Sequence, residues 1–394
     1  FLKYFIMNIN IYGSTGVIGK KTLKLISKYF PNIKINLLVA NKNYKTLINQ
    51  IKHFKPRYVY LSDPSKIKFI KEIVKYYKIK ILYTDELNYY LKNSKSDLSI
   101  LAISGYKSLN FLDQIIKNTD NLGILSKEAI VSAGHLFKKN NYFKKTNIFP
   151  LDSEHFSIFD QINKLDYQKN IMNIIITASG GPFYKKKFST LKNIKFNQAI
   201  KHPKWKMGYK NSIDSATLVN KCLEVVEAHY LFDIPYSKID IKIHPEALVH
   251  SIINYKNFVS NLIMFKNDMS IPIFNFLLKS NDVDKKNNLI YNNEYQKYSF
   301  SNLEFLEVKN NIFPIYKLFN NIDKNNPSNI IKFNVGNEYA VNLFKKNLIK
   351  YTDIYKIINK VVSLNLYYPL KTIKDILKYH EDLEQVINKK INLF

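Results

Sequence analysis

Two carboxylates stand two residues apart in the segment Pro150–His155, which has the sequence PLDSEH. If this segment is extended, the side chains of Asp152 and Glu154 leave the same side of the backbone. Because paired like charges are stabilised by a cation between them, the spacing favours a metal site. An acidic pair on a solvated surface is the alternative that this segment leaves open.

A third acid lies in the amphipathic segment Ala216–Phe232, which we predict to be one helix. Asn220 and Glu224 share a face beside its apolar stripe, and such a polar face ordinarily meets solvent. Here Lys221 stands beside Glu224, after the hydroxyl-rich segment Ser212–Thr217, which indicates a phosphate-binding group next to a metal ligand. Ligation by carboxylates alone implies a hard ion such as Mg²⁺ or Mn²⁺.

Three glycines, Gly13, Gly16 and Gly19, follow the strand-like segment Ile9–Tyr12 with the spacing G-x-x-G-x-x-G. Glycine permits a tight turn and lets a pyrophosphate approach the backbone, while N–H groups at the start of the next helix bind it. The commoner fingerprint is G-x-G-x-x-G, so a plain glycine-rich turn is the alternative. The position at the first strand–helix junction favours a nucleotide.

The end of the second predicted strand indicates which nucleotide binds. NAD sites usually present an Asp or Glu there to the ribose 2′-hydroxyl. Here the segment Ala40–Asn43 has the sequence ANKN and no acid. One lysine and two amides suit a 2′-phosphate, so we predict NADPH. A solvated loop in a lysine-rich protein is the alternative interpretation.

Two further segments are unusual for a scaffold. Thr177–Phe183, TASGGPF, closes a predicted strand with a hydroxyl-bearing turn whose N–H groups can bind phosphate. Ala199–Gly208 is basic and contains the sole tryptophan, Trp205. From the segment alone we expect Trp205 to be a buried anchor, with the cap of a mobile lid as the alternative.

The first 150 residues alternate apolar runs with amphipathic stretches, which is typical of a parallel, doubly wound sheet. Residues 284–312 are rich in Asn and Lys and are typical of a linker, and the pattern after them is helical. We therefore predict an α/β protein in three domains. They are a Rossmann-like NADPH-binding domain at 1–151, an α+β catalytic metal- and substrate-binding domain at 152–283, and a C-terminal helical domain at 313–394.

The element predictions rest on short apolar runs for strands and on three- and four-residue apolar spacing for helices. Strands are predicted at residues 8–12, 33–40, 58–61, 79–83, 98–103, 122–125 and 171–176. Helices are predicted at residues 20–29, 44–54, 66–77, 109–118, 216–232, 334–348 and 353–364.

Composition limits the classes of protein that the chain can represent. Hydrophobic residues are 46% and no apolar run approaches the roughly 18–20 residues of a spanning helix, so we expect a soluble protein without a membrane partner. The net charge of +29 would suit nucleic acid, but Arg57 is the sole arginine among 60 basic residues. Because arginine supplies the planar fork for phosphate and guanine, we expect no nucleic-acid partner.

These segments together resemble one family, the 1-deoxy-D-xylulose 5-phosphate reductoisomerases. The motifs cover most of the chain in the family's order: GSTGVIG at 13–19, LSKEAIVSAG at 125–134, PLDSEHFSIF at 150–159, TASGGPF at 177–183, HPKWKMG at 202–208, IDSATLVNKCLEVVEAHYLF at 213–232, IHPEALVHS at 243–251 and NVGNE at 334–338. The resemblance implies NADPH-dependent rearrangement and reduction of 1-deoxy-D-xylulose 5-phosphate to 2-C-methyl-D-erythritol 4-phosphate, in the non-mevalonate pathway of isoprenoid precursor synthesis.

The resemblance also implies roles for individual residues. Ligands of Mg²⁺ or Mn²⁺, with Co²⁺ possible, are Asp152, Glu154 and Glu224. Substrate contacts are Ser153, Ser179, Ser215, Asn220 and Lys221, together with Trp205 and Met207 in a flap that closes over the substrate. Cofactor contacts are Thr15, Gly16, Val17, Ile18, Asn41, Lys42, Asn43, Ser126, Glu128 and Gly208. Catalytic residues are Lys127, which steadies negative charge on oxygen, Glu154, which with a water on the metal is the candidate proton shuttle, and His202 beside the phosphate.

The sequence departs from the family pattern at four places: Ser126 replaces Asn, Cys222 replaces Gly, the Pro-Ile segment at 272–273 lacks the Trp-Pro that commonly follows, and Val335-Gly336 replaces small alanines. The resemblance further implies a homodimer. We expect a bacterial, cytoplasmic protein from an AT-rich genome, and the stroma of a plastid-type organelle is the alternative.

Two other functions fit the residues less well. An aldehyde dehydrogenase of the aspartate-semialdehyde type needs a nucleophilic cysteine, but Cys222, the single cysteine, lies within a predicted helix beside apolar residues. A nucleic-acid-binding protein would leave the acids of DSEH and the SGGPF turn unexplained.

Overall fold

The computed structural model describes residues 6–140, 146–162, 170–201, 208–280 and 302–390. The chain forms two compact units. The first comprises Phe1–Ser126, Asn140–Phe156 and Asp268–Ser299, and the second comprises Lys127–Lys139, Ser157–Asn267 and Phe300–Phe394. The predicted domain bounds stay a prediction, and residues 284–301 of the predicted linker lie outside the described residues. In the described ranges no helix has both the length and the apolar character that a bilayer crossing requires.

The regular elements are numbered along the chain. The strands are β1 (Met7–Tyr12), β2 (Ile33–Ala40), β3 (Tyr58–Leu61), β4 (Lys80–Ile81), β5 (Ser96–Leu101), β6 (Thr119–Ile124), β7 (Asn147–Pro150), β8 (Ile171–Ala178), β9 (Ile239–Ile243), β10 (Val249–Tyr255), β11 (Ser260–Met264) and β12 (Leu306–Glu307). The helices are α1 (Val17–Tyr29), α2 (Tyr44–Phe54), α3 (Lys71–Tyr76), α4 (Thr84–Asn93), α5 (Leu109–Lys117), α6 (Lys127–Asn140), α7 (Ser153–Ile162), α8 (Phe196–Ala199), α9 (Tyr209–Thr217), α10 (Val219–Phe232), α11 (Ser270–Lys279), α12 (Pro314–Asn321), α13 (Pro327–Lys345), α14 (Asp353–Val362) and α15 (Ile373–Lys390).

The first unit contains a seven-stranded sheet in the order β4-β3-β2-β1-β5-β6-β7. Every neighbouring pair is parallel. The strand order reverses beside β1, and ligands bind at such a switch point in doubly wound folds. The predicted Rossmann-like sheet is confirmed.

The core of the first unit joins the sheet to two helices that are far apart in the chain. Leu23 and Ile26 of α1 and Ile273 and Phe276 of α11 are buried in one apolar cluster with β1 and β2. The rings of Phe149 and Phe276 lie 5.4 Å apart between centroids. Burial of such side chains stabilises a fold by about 1.5–3 kcal/mol each, so this packing holds the glycine turn between β1 and α1 in place.

The second unit contains a five-stranded mixed sheet in the order β11-β10-β8-β9-β12. β8 and β9 are parallel, and the other pairs are antiparallel. Helix α10 lies against β8 and β9, and α13 packs closely on α14. A Cβ at Gly336 would lie 3.0 Å from Cβ of Val361, which shows how near these two helices approach. The predicted α+β fold of this part of the chain and the predicted helical C-terminal region are confirmed.

Two local predictions were wrong. The predicted helix Ala216–Phe232 is interrupted at Leu218, whose φ of 68° is left-handed, so α9 ends at Thr217 and α10 begins at Val219. The acidic segment is not extended past Pro150, because α7 begins at Ser153. Asp152 stands at the start of α7, a position where a short side-chain acceptor satisfies free N–H groups.

Candidate active site

Asp152 and Glu154 are held by the first turn of α7. The carboxylate of Asp152 accepts a hydrogen bond from the Glu154 backbone N–H at 3.3 Å. The Ser153 hydroxyl donates to Oε2 of Glu154 at 2.6 Å. The positive end of the helix dipole favours negative charge at these positions. Asp152, Glu154 and Glu224 are all carboxylates, a hard donor set that fits Mg²⁺ or Mn²⁺.

Glu224 is 1% exposed and is surrounded by cationic and amide donors. Lys127 on α6 donates to its Oε1 at 2.7 Å, and Asn220 donates to the same oxygen. Lys221 donates to its Oε2 at 2.7 Å. Burying a carboxylate is costly unless it is paired, and these contacts compensate that cost. The pattern N220-K221-x-x-E224 on one helix thus builds a charged site inside the fold.

The TASGGPF turn packs directly against α9. Gly181 has a left-handed φ of 64°, and a Cβ there would lie 2.8 Å from Cα of Ala216. The Ser179 hydroxyl accepts from the Gly181 N–H at 3.3 Å, and the neighbour of Ala216 is Ser215. Both serines are half-buried. The turn and α9 can therefore present two hydroxyl groups to an anion.

The glycine turn is fixed by contacts that exclude side chains. The N–H groups of Gly13 and Ser14 both donate to the Val39 carbonyl at 3.0 Å. Gly13 has a φ of 92°, and a Cβ at Gly19 would lie 2.4 Å from the Ser14 carbonyl oxygen. The Gln50 side chain, from α2, donates to that same oxygen at 2.8 Å. The turn therefore leads into the start of α1, where helix N–H groups can bind a pyrophosphate.

The predicted cofactor residues of the first unit lie at this turn and after β2. Residues 15–18 run from the turn into α1, and Val17 is 69% exposed. Asn41, Lys42 and Asn43 are exposed between β2 and α2. The side-chain Oδ1 of Asn43 caps α2 by accepting from the Thr46 N–H at 3.1 Å, so the side-chain NH₂ of Asn43 is not used in the cap. Both segments follow parallel strands at the edge of the sheet where nucleotides bind.

The remaining predicted residues are placed as follows. Ser126 is 2% exposed and donates its hydroxyl proton to the Ile103 carbonyl at 2.6 Å. Glu128 lies in the first turn of α6, and Gly208 is exposed at the start of α9. His202, Trp205 and Met207 lie outside the described residues.

A buried ionic cluster in the second unit was missed by sequence reasoning. Nζ of Lys210 lies 2.8 Å from Asp214 and 3.9 Å from Oε1 of Glu128. The Asn337 amide donates to the other oxygen of Asp214 at 2.8 Å. Lys210 and Asp214 are spaced i,i+4 on α9, and Glu338 ends the NVGNE motif. The i,i+4 pair was the available signal.

Cys222 is fully buried within α10, and burial raises the pKa of its thiol. A thiol that does not ionise is a poor nucleophile. Its position therefore argues against an enzyme that depends on a catalytic cysteine.

Three family models match successive parts of the chain. The model described as 1-deoxy-D-xylulose 5-phosphate reductoisomerase matches residues 9–134, and two models of the C-terminal domain of this enzyme match residues 148–232 and 264–386. A relative of the same name from Pelagibacter ubique is 36% identical over 375 residues, which are 93% of this chain and 93% of the relative. The chain belongs to the 1-deoxy-D-xylulose 5-phosphate reductoisomerase family.

Other members of the family match over a similar length. A relative from Sulfurihydrogenibium is 39% identical over 389 residues, covering 98% of this chain and 97% of the relative. A crystal structure of DOX-P reductoisomerase in complex with NADPH, fosmidomycin and magnesium aligns with a TM-score of 0.86 and 26% identity, over 98% of each chain. As a family member the chain is an oxidoreductase that rearranges and reduces 1-deoxy-D-xylulose 5-phosphate, and this prediction is confirmed.

Proposed function

We propose that this chain converts 1-deoxy-D-xylulose 5-phosphate to 2-C-methyl-D-erythritol 4-phosphate with NADPH, and that Asp152, Glu154 and Glu224 hold the divalent ion that the reaction needs. The observation that carries the proposal is Glu224, a carboxylate buried among two lysines and an amide in a chain of this family that also has Asp152 and Glu154. The related structure that binds NADPH and magnesium supports the choice of cofactors.

The donor set suits a hard divalent ion. Three carboxylate oxygens match the ligands that Mg²⁺ and Mn²⁺ prefer, and no sulfur or imidazole belongs to the group. When bound, the ion supplies Lewis-acid polarisation of the ketose oxygens, and NADPH supplies hydride. The chain's own residues orient the reacting groups and move protons.

Lys127 and Glu154 are the residues to which we assign proton and charge handling. The Lys127 ammonium is already directed at Glu224, so it lies where negative charge on a substrate oxygen would be stabilised. Glu154 accepts a hydrogen bond from the Ser153 hydroxyl and can exchange a proton with a substrate hydroxyl group. His202 remains a prediction that rests on the family resemblance.

The phosphate group of the substrate is assigned to Ser179, Ser215, Asn220 and Lys221. The two hydroxyl groups lie on the adjoining turn and α9, and Lys221 supplies a buried cation. In the structure Lys221 and Asn220 both bind Glu224. A divalent ion at Glu224 would compete with them for the carboxylate and so favour their turning to the phosphate. Trp205 and Met207 are kept as predicted substrate contacts.

NADPH is assigned to the first unit. Thr15, Gly16, Val17 and Ile18 would meet the pyrophosphate and ribose through the turn and the start of α1. Asn41, Lys42 and Asn43 would meet the 2′-phosphate, since no acid follows β2 to bind a free ribose hydroxyl. Ser126, Glu128 and Gly208 are proposed as further cofactor contacts.

The direct test is oxidation of NADPH by the purified protein with 1-deoxy-D-xylulose 5-phosphate, with and without Mg²⁺ or Mn²⁺. We expect oxidation that needs both the ketose phosphate and the ion, is abolished by a chelator and restored by added metal, and is much slower with NADH. Metal-independent oxidation would refute the three-acid assignment, and no oxidation under any of these conditions would refute the proposed function.

Two wider assignments accompany the function. The named relatives come from bacteria, which supports a cytoplasmic rather than a plastid-type location. We also propose a homodimer, which sedimentation at micromolar concentration would test directly.

A further inference from the structure

Lys210 is the cationic centre of a cluster drawn from three helices of the second unit. It faces Asp214 on its own helix α9 at 2.8 Å and Glu128 on α6 at 3.9 Å. Glu338 on α13 is close enough to affect its pKa, and the neighbouring Asn337 binds Asp214 at 2.8 Å. One lysine thus links the starts of α6 and α9 to the middle of α13.

The cluster contains one cationic side chain and three acidic side chains. Burial opposes the charge of Lys210, but Asp214, Glu128 and Glu338 outweigh it and raise the Lys210 pKa above its ordinary value. Burial raises the pKa of Glu338 to about 7, Glu128, Asp214 and Glu384 add to the rise, and Lys210 opposes it. One ammonium therefore restrains three nearby carboxylates, which would otherwise repel one another.

The first turn of α6 connects this cluster to the active site. Glu128 faces Lys210, whereas the preceding residue, Lys127, extends to Glu224 on α10 at 2.7 Å. Adjacent residues on a helix point about 100° apart, so the orientation of one fixes the direction of the other. α6 also lies close to α10 two turns after Lys127, because a Cβ at Gly134 would meet the ring of Tyr230 at 2.3 Å.

We propose that Lys210 is a positioning residue that acts through Lys127: by holding Glu128 it sets the first turn of α6, and thereby keeps the Lys127 ammonium on Glu224. The inference rests on the proposed function for its kinetic consequence. The ion pairs of Lys210 are with Asp214 and Glu128, so its effect on Lys127 is transmitted through α6.

A double-mutant cycle with Lys127 tests the proposal. Lys210→Met removes the ammonium and keeps most of the stem, and it should lower kcat about tenfold or more, since small displacements of a catalytic group cost up to about 100-fold. In a Lys127→Met background the same change should lower kcat less than about twofold further, because coupled residues are not additive. Lys210→Arg should recover part of the loss. Equal losses in both backgrounds would overturn the proposal.

A second measurement does not depend on turnover. The rate at which Lys127 is acetylated in the protein without ligands, read by peptide mass spectrometry, should rise severalfold in Lys210→Met, because the ammonium is no longer held on Glu224. An unchanged rate would overturn the inference. If the protein did not turn over the ketose phosphate at all, this measurement would still decide the role of Lys210. Failure of the proposed function can therefore be distinguished from failure of the role proposed for Lys210.

A second substitution distinguishes an effect of Lys210→Met on the stability of the fold from an effect on the position of Lys127. Lys210→Met with Glu338→Gln removes one carboxylate together with the cation, so its unfolding temperature should return toward that of the wild type while the kinetic defect persists. Recovery of kcat together with stability would mean that Lys210 only supports the fold. The matched control is Lys356→Met, which breaks an exposed 2.8 Å pair with Asp353 on α14 and should leave kcat within about twofold.

Discussion

Glu224 combines properties that a structural acid does not need. It is almost fully buried, and its two oxygens face two lysines and an amide. Lysine side chains are long and rotatable, so their contacts can be exchanged for a metal ion and an anionic substrate. Partners that can be exchanged in this way suit a carboxylate that binds a ligand.

Replacement of Glu224 by Gln isolates this role at the scale of one residue. The amide keeps the shape but has no charge, so it is a weak ligand for a hard ion and leaves Lys127 and Lys221 without their carboxylate. We expect kcat to fall at least about 100-fold, because mutation of even an outer-shell partner of a metal lowers metal affinity or activity about 10–100-fold. The affinity for NADPH, measured by fluorescence titration, should stay within about twofold.

The control for that substitution is Glu227→Gln, one turn along α10. This acid is 3.9 Å from Lys127 and is 4% exposed, but it is not among the three carboxylates that we assign to the metal. It should lose less than about tenfold in kcat. A fully active Glu224→Gln enzyme would remove the basis of the metal assignment.

At the scale of elements, the junction of β1 with α1 is the most demanding turn of the first unit. Gly19 lies in the first turn of α1, where the helix crosses directly over the backbone of Ser14. Gln50 of α2 binds the same carbonyl, so the turn, α1 and α2 share one point of contact. Movement of α1 would therefore displace the N–H groups that we assign to the pyrophosphate.

Gly19→Ala tests this coupling. The new methyl group would lie 2.4 Å from the Ser14 carbonyl oxygen and 2.5 Å from its Cα, and neither backbone atom can move alone. We expect the free energy of unfolding in urea to fall by about 1–3 kcal/mol, as in overpacked cores, and the affinity for NADPH to fall about tenfold or more. In Gly16→Ala the nearest atom is at 3.3 Å, so its unfolding free energy should change much less. Equal losses of stability would contradict the packing argument.

For the whole molecule, sequence reasoning succeeded where the signals are local. Strand β2, helix α2 and strand β3 have the predicted bounds, since Asn43 caps α2 and Pro56 follows its end. The break at Leu218 was not predictable in this way, because a buried leucine in a left-handed conformation is imposed by the packing of α9 and α10. Lys210 and Glu338 are 128 residues apart in sequence, which is why their cluster left only a weak i,i+4 signal.

The pH dependence of global stability follows from that cluster. Burial raises the pKa of Glu338 to about 7, well above its ordinary value of 4.5. An acid whose pKa is raised on folding binds its proton more tightly in the folded state, so the protonated acid contributes to stability. This contribution is fully present below the ordinary pKa, and it is lost as the pH rises through about 7. Glu338→Gln mimics the protonated acid, so the stability of this variant should not show this loss as the pH rises.

Urea unfolding of the wild type and Glu338→Gln between about pH 5 and pH 9 measures the difference. We expect the Gln variant to gain stability relative to the wild type as the pH rises through about 7, and the gap to stop widening above that range. The net charge of +29 is common to both proteins apart from this one residue, so general repulsion cancels in the comparison. If the difference in unfolding free energy between the two proteins were the same at every pH in this range, Glu338 would be ionised throughout it. The attraction of Lys210 would then outweigh the effect of burial on the Glu338 pKa.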